Sequence, residues 1–131
     1  MNLLLDTHIL IWSQNEPKRL SGRVARSLAD LRNERWISPV SLLEILTLYR
    51  KGRVRLHSSA SAWLAEISAR TPAHEAPFTH EVAMALDTFA LPHSDPIDTI
   101  LVATAKAYGL TLVTADRNLI AAKACPVLSN L

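Results

Sequence analysis

Four acidic residues stand out by where they fall in the chain. Asp6 directly follows the apolar run Asn2–Leu5, and Asp116 closely follows the apolar stretch Thr111–Thr114. Glu44 and Asp98 lie near the starts of segments with helical spacing. Carboxylates gathered in one crevice repel, and each raises the proton affinity of the others. A hard divalent cation removes that conflict, because Mg²⁺ prefers a few carboxylates together with waters and phosphate oxygens. Centres of this kind hydrolyse phosphodiesters: one or two ions activate water, screen the phosphate and stabilise the departing oxygen. The pattern therefore points to metal-dependent phosphodiester cleavage at Asp6, Glu44, Asp98 and Asp116.

Each acid also has a simpler explanation. Asp6 could cap a helix, and Glu44 could close a capping box with Ser41. Asp98 could simply favour the positive end of its helix, and Asp116 could be a turn residue. Asp95, before Pro96, is fully accounted for as an N-cap, so a metal role for it is secondary. What favours chemistry is the joint placement, since all four acids follow strands or open helices.

The elements that must position them are legible in outline. Asn2–Leu5 reads as a buried strand ending at Asp6. Thr7–Ser13 reads as a short helix with Ile9, Leu10 and Trp12 turned inward, closed by Pro17. Ser21 is a good N-cap for a helix in which Val24, Leu28 and Leu31 repeat at helical spacing. A second strand is expected at Arg35–Ile37, and Pro39 suits the first turn of a helix running to about Lys51, with Gly52 at its end. Another helix is expected over Ala60–Ala69, a third strand at His74–Ala76, and a helix capped by Thr79 with Val82, Leu86 and Phe89 on one face, ended by Pro92. Asp95-Pro96-Ile97-Asp98 opens a helix whose buried stripe is Ile97, Ile100, Leu101, Thr104, Ala105 and Tyr108, ended by Gly109. Thr111–Thr114 and Val127–Leu128 complete the strands. Short strands alternating with helices predict a parallel sheet covered on both faces, within one α/β domain. In such sheets ligands bind beyond the carboxyl ends of the strands, the edge where the four acids would collect.

Composition narrows the class further. Of 131 residues, 49% are hydrophobic and 20% charged, enough apolar mass for one packed core and unlike a disordered or fibrous chain. One cysteine, Cys125, permits no internal disulfide, and no Cys/His spacing suggests zinc; a reducing cytoplasm is the expected location. No stretch reaches the roughly 20 apolar residues that cross a bilayer. The net charge is +2, unevenly spread: residues 17–55 hold ten Lys/Arg against three acids. That block ends in Arg50, Lys51, Arg53 and Arg55, a strip suited to a phosphate backbone or, more simply, to a solvated helix face. His8 and His93 flank the acids, but Mg²⁺ favours oxygen ligands, so both are expected to pack or hydrogen-bond. His57, His74 and His80 show no ligand spacing. Trp12 and Trp63 suit core or partner contacts better than base stacking.

The acidic blocks resemble those of the PIN-domain ribonucleases, in particular the VapC-type toxins of bacterial toxin–antitoxin pairs. Leu-Leu-Leu-Asp-Thr-His-Ile-Leu-Ile-Trp (Leu3–Trp12) is close to a subgroup signature. Ser-Pro-Val-Ser-Leu-Leu-Glu-Ile (Ser38–Ile45), His-Ser-Asp-Pro-Ile-Asp-Thr-Ile-Leu-Val-Ala-Thr-Ala (His93–Ala105) and Gly-Leu-Thr-Leu-Val-Thr-Ala-Asp (Gly109–Asp116) resemble the second, third and fourth motifs, in family order. The resemblance implies a three-layer α/β/α fold with a short central parallel sheet. It implies Mg²⁺ or Mn²⁺ at Asp6, Glu44, Asp98 and Asp116, with the Thr7 and Thr114 hydroxyls beside the metal and Asp95 a frequent extra acid. It further implies an RNA substrate, a VapB-like antitoxin that blocks the site, DNA contact only through that antitoxin, and commonly a homodimer. The chain departs from the subgroup at Ser94, Ile97 and Thr99, where Arg, Phe and Arg are frequent; the four acids are intact. Two other classes compete. A non-catalytic PIN-like module binding RNA or a partner would be expected to have lost an acid, and none is lost. A receiver or haloacid-dehalogenase-like phosphatase is a weaker match, since the latter expects Asp-x-Asp where the chain has Asp6-Thr7-His8.

Overall fold

The structure, a computed structural model, describes residues 1–70, 72–93 and 95–131. Alternating apolar runs build its centre. Strands β1 (Asn2–Leu5), β2 (Glu34–Ile37), β3 (His74–Glu75), β4 (Thr111–Thr114) and β5 (Val127–Ser129) form one sheet in the order β3-β2-β1-β4-β5. All four pairings are parallel, and Leu4 sits between Trp36 of β2 and Leu112 of β4.

Because side chains alternate across a strand, β1 feeds two cores. Leu3 and Leu5 join Ile9, Leu10, Val24, Ile45 and Trp63 on one face. Leu4 joins Leu101, Val102, Leu110 and Leu112 on the other. Helices cover both faces, which makes the three layers expected from sequence. On the first face lie α1 (Thr7–Asn15), α2 (Gly22–Ala29), α3 (Pro39–Arg50) and α4 (Ala60–Arg70). Helix α6 (Pro96–Tyr108) packs on the second, beside the short α5 (His80–Ala85) and α7 (Arg117–Ala122). Among the described residues no helix is long and apolar enough to cross a membrane.

Several local expectations are corrected. Helix α2 stops at Ala29 rather than reaching Leu31, which is 93% exposed; Asp30 leaves the helix and its carboxylate takes the Arg32 guanidinium and backbone N–H. Helix α3 is capped by Ser38, whose Oγ accepts the Val40 N–H. Ser41 therefore lies inside the first turn, so the capping box with Glu44 does not exist. Helix α5 ends at Ala85 and tightens to a 3₁₀ turn at Leu86–Thr88, so the single face Val82–Leu86–Phe89 is broken. Helix α6 is buried more broadly than a stripe, with Val102 and Ala103 enclosed while Ile97, Ile100 and Tyr108 are half-buried. Trp12 is half-buried rather than turned fully inward. Helix α7, unexpected from sequence, is capped by Asp116 and ends at Lys123 in a left-handed conformation.

Candidate active site

Strand order changes direction at the β1–β4 pair: β2 and β3 extend one way from β1, while β4 and β5 lie on the other side. This is the switch point at which parallel sheets open a crevice beyond their carboxyl ends. Asp6 leaves β1 at that point, and Thr114 ends β4 beside it. The Thr114 hydroxyl donates to Asp6 Oδ2 at 2.6 Å and accepts the Asp116 N–H at 3.0 Å. One buried hydroxyl thus ties together two acids that follow different strands, reaching Asp6 across 108 positions of chain.

Helix starts fix the remaining carboxylates. Asp6 Oδ1 accepts the Thr7 N–H at 2.7 Å as the cap of α1. Asp116 Oδ1 accepts the N–H groups of Asn118 and Leu119 at 2.8 and 3.2 Å, capping α7. Asp95 Oδ1 accepts from Ile97 and Asp98 at 2.9 and 3.4 Å, capping α6. Asp98, in the first turn of α6, instead receives His93: Nε2 lies 3.0 Å from its Oδ2. A carboxylate only accepts, so His93 donates.

Asp6, Glu44, Asp95, Asp98 and Asp116 all line one cleft of about 1300 Å³. That exceeds the roughly 300–1,000 Å³ of small-molecule sites and suits an extended ligand. Arg19, Arg53, Arg55, Trp12 and His8 line the same cleft, as does Glu16, which pairs with Arg19 at 3.2 Å. The Arg19 guanidinium lies 4.2 Å over the Trp12 ring. Of the basic strip, Arg53 and Arg55 line the cleft, whereas Arg50 and Lys51 end α3 outside it. Asn15, also lining the cleft, was not singled out from sequence, yet it anchors the Arg55 backbone: its Nδ2 donates to the Arg55 carbonyl at 3.3 Å while its Oδ1 accepts from buried Trp63 at 3.1 Å. Ser94 lies outside the described residues.

Electrostatics mark the same place. Burial pushes Asp98 up to about 6, reinforced by the charges of Asp95, Asp6 and Asp116 and opposed by the His93 hydrogen bond. Burial also raises Asp6, against the hydrogen bonds from Thr114 and Thr7. The buried Thr7 hydroxyl, next to Asp6 in the chain, has no hydrogen-bond partner among the described residues. Among those residues no three His, Cys, Asp or Glu are already gathered as a metal-holding group. Mg²⁺ does not need one, because it is commonly held through one or two carboxylates and keeps several waters. An all-oxygen donor set with strained charge and an orphaned hydroxyl fits such an ion.

The PIN domain family matches residues 3–124 of the chain. Ribonuclease VapC22 of Mycobacterium tuberculosis (strain ATCC 25618 / H37Rv) is 31% identical over 120 residues, covering 89% of this chain and 88% of its own. Two solved structures are similar over 98% of both chains: VapBC-1 from nontypeable Haemophilus influenzae, with a TM-score of 0.72 at 13% identity, and VapBC2 from Rickettsia felis, bound to a DNA fragment from their promoter, with 0.70 at 17%. At such identities these structures speak to fold alone. The family match and the curated relative go further, and with the acids collected at the switch point of a 3-2-1-4-5 parallel sheet they establish that the chain belongs to the PIN-domain family.

Proposed function

We propose that this protein is a Mg²⁺-dependent endoribonuclease and the toxin of a type II toxin–antitoxin module, held in check by a VapB-like antitoxin. The observation that carries the reading is the convergence of Asp6, Glu44, Asp98 and Asp116 on one cleft that also presents Arg53 and Arg55. The likeness to Ribonuclease VapC22 and to VapBC assemblies supports the same assignment.

Asp6, Asp98 and Asp116 would hold Mg²⁺ or Mn²⁺. The chemistry such an ion supplies is neutralisation of the scissile phosphate and activation of water. Thr114 keeps Asp6 and Asp116 in register. Glu44, half-buried on the second turn of α3, would either ligate the ion directly or orient the attacking water. Arg53 and Arg55 bind backbone phosphates, the backbone of Arg55 being anchored by Asn15. Water oxygen bonds to phosphorus, the P–O bond to the leaving nucleoside breaks, and the proton passes to the departing oxygen. DNA contact belongs to the antitoxin, and two copies of this chain pair as a homodimer in the cytoplasm.

The test is RNA degradation by purified protein. Wild type should cleave with Mg²⁺ and stop with chelator, and Asp6→Asn should be inactive while still folded. Cleavage by Asp6→Asn at the wild-type rate would refute the assignment.

A further inference from the structure

Every acid of the cleft except Glu44 is held by donors, but the donors differ in kind. Asp6 has the Thr7 N–H and the Thr114 hydroxyl; Asp95 and Asp116 have the N–H groups of the helices they cap. Asp98 has no such recourse. It sits inside the first turn of α6, where its own N–H already serves Asp95. Among the described residues its carboxylate accepts one hydrogen bond, from His93 Nε2 at 3.0 Å.

His93 is equally committed. Its side chain is 23% exposed against 12% for Asp98. Its Nδ1 is enclosed without a partner among the described residues, so Asp98 is the ring's only polar anchor there. A buried acceptor left unpaired costs stability, and packing alone would be better served by an apolar side chain. Among the described residues, the imidazole's one polar contact is thus a cleft carboxylate.

We propose that His93 is a positioning residue, whose Nε2–H fixes the orientation in which Asp98 presents its free oxygen to a divalent ion in the cleft. The assignment rests on the metal-dependent reading above. Carboxylates that hold an ion are themselves held by hydrogen bonds, and removing that partner commonly weakens metal binding 10–100-fold.

The experiment measures Mn²⁺ binding to the full chain by titration calorimetry, for wild type, His93→Met, His93→Gln and Asp98→Asn. Met keeps the bulk and lacks the donor; Gln keeps a donor N–H. Cooperative melting of the metal-free variants shows that folded proteins are being compared. His93→Met should bind Mn²⁺ roughly 10–100-fold more weakly, and His93→Gln should recover most of the loss. Wild-type affinity in His93→Met, or equal loss in both His93 variants, overturns the positioning role while leaving the cleft's ion intact. Unchanged Mn²⁺ binding in Asp98→Asn, or none in wild type, overturns the ion itself and the His93 role with it.

Discussion

Replacing Asp98 by Asn should make the metal-free protein more stable, increasingly so as pH rises from 3.8 to about 6. In the folded chain burial lifts this carboxyl from 3.8 to about 6. The folded state therefore holds the proton more tightly than the unfolded state. Stability is highest, as far as this group is concerned, below about pH 4. It falls as pH rises through the window from 3.8 to about 6, and the whole penalty is present above it. At about 1.4 kcal/mol per tenfold change in proton affinity, the penalty is about 3 kcal/mol. The carboxyl lines an open cleft shared with other acids, so about 3 kcal/mol is an upper figure. Asn carries no charge at any pH, and its Oδ1 can still accept the His93 N–H. It forfeits about 0.3–1 kcal/mol of interaction with the positive end of α6. Asp98→Asn should therefore gain up to roughly 2–3 kcal/mol at pH 8 and match or fall slightly below wild type at pH 4. Urea denaturation in chelator at pH 4, 6 and 8 reads this as a shift in midpoint with unchanged slope. Saturating Mg²⁺ should then raise the wild-type midpoint at pH 8 and leave that of Asp98→Asn in place. Parallel pH profiles for the two proteins, or a less stable Asn variant at pH 8, would refute the reasoning.

Three other outcomes follow from the cleft. Thr114→Val removes the hydroxyl shared by Asp6 Oδ2 and the Asp116 N–H; it should cost about 2–3 kcal/mol in urea denaturation, because it leaves a buried carboxyl oxygen and a backbone N–H without their partner. Asp116→Asn keeps an N-cap of equal quality for α7, so metal-free stability should change by less than about 0.5 kcal/mol while RNA cleavage is lost. Arg53→Gln with Arg55→Gln should flatten the salt dependence of binding to single-stranded RNA, by about 0.7 in log–log slope for each phosphate that is no longer neutralised. The pair Arg50→Gln and Lys51→Gln, outside the cleft, should leave that slope unchanged.

The parts of the fold visible in the sequence were those where local and global preferences agree. Leu3, Leu4 and Leu5 can all be buried because a central parallel strand is covered on both faces, so a plain apolar run sufficed. Asp95-Pro96 announced α6 because cap and first-turn proline both restrict the backbone in the same sense, and Gly109 closes it at φ 67°. Where one residue could serve two neighbours, the sequence was ambiguous. Ser38 and Ser41 are both competent caps, and only Pro39 in the first turn selects Ser38. Leu31 fits the helical period of α2, but Asp30 paired with Arg32 draws the chain out first. Helix α7 spans six residues, too few to show a period, and ends without the glycine that usually marks a left-handed cap. In the site, acid types and order were legible, while their couplings were not. Nothing local indicates that Asn15 reaches Trp63 and Arg55, respectively 48 and 40 positions away, or that Thr114 bridges two carboxylates.

A capping role and a place in the cleft are not rival explanations for Asp6, Asp95 and Asp116. In a parallel sheet the helices that lead back toward the next strand start at the carboxyl edge, whether they follow a strand, as α1 and α7 do, or another helical segment, as α6 does, so acids that cap them there are gathered by the topology itself. The capped helix stabilises the carboxylate in return: its N–H groups satisfy one oxygen, and its positive end offsets the charge, leaving the second oxygen for a ligand or, in Asp6, for Thr114. Three acids can thus share a cleft with much of their repulsion already offset by the backbone. Asp98 falls outside that arrangement, being one turn too deep in α6 to act as a cap, and burial drives it up to about 6. Burial raises Asp6 as well, but Asp98 accepts, among the described residues, a single hydrogen bond, and its donor is a side chain rather than the helix it belongs to.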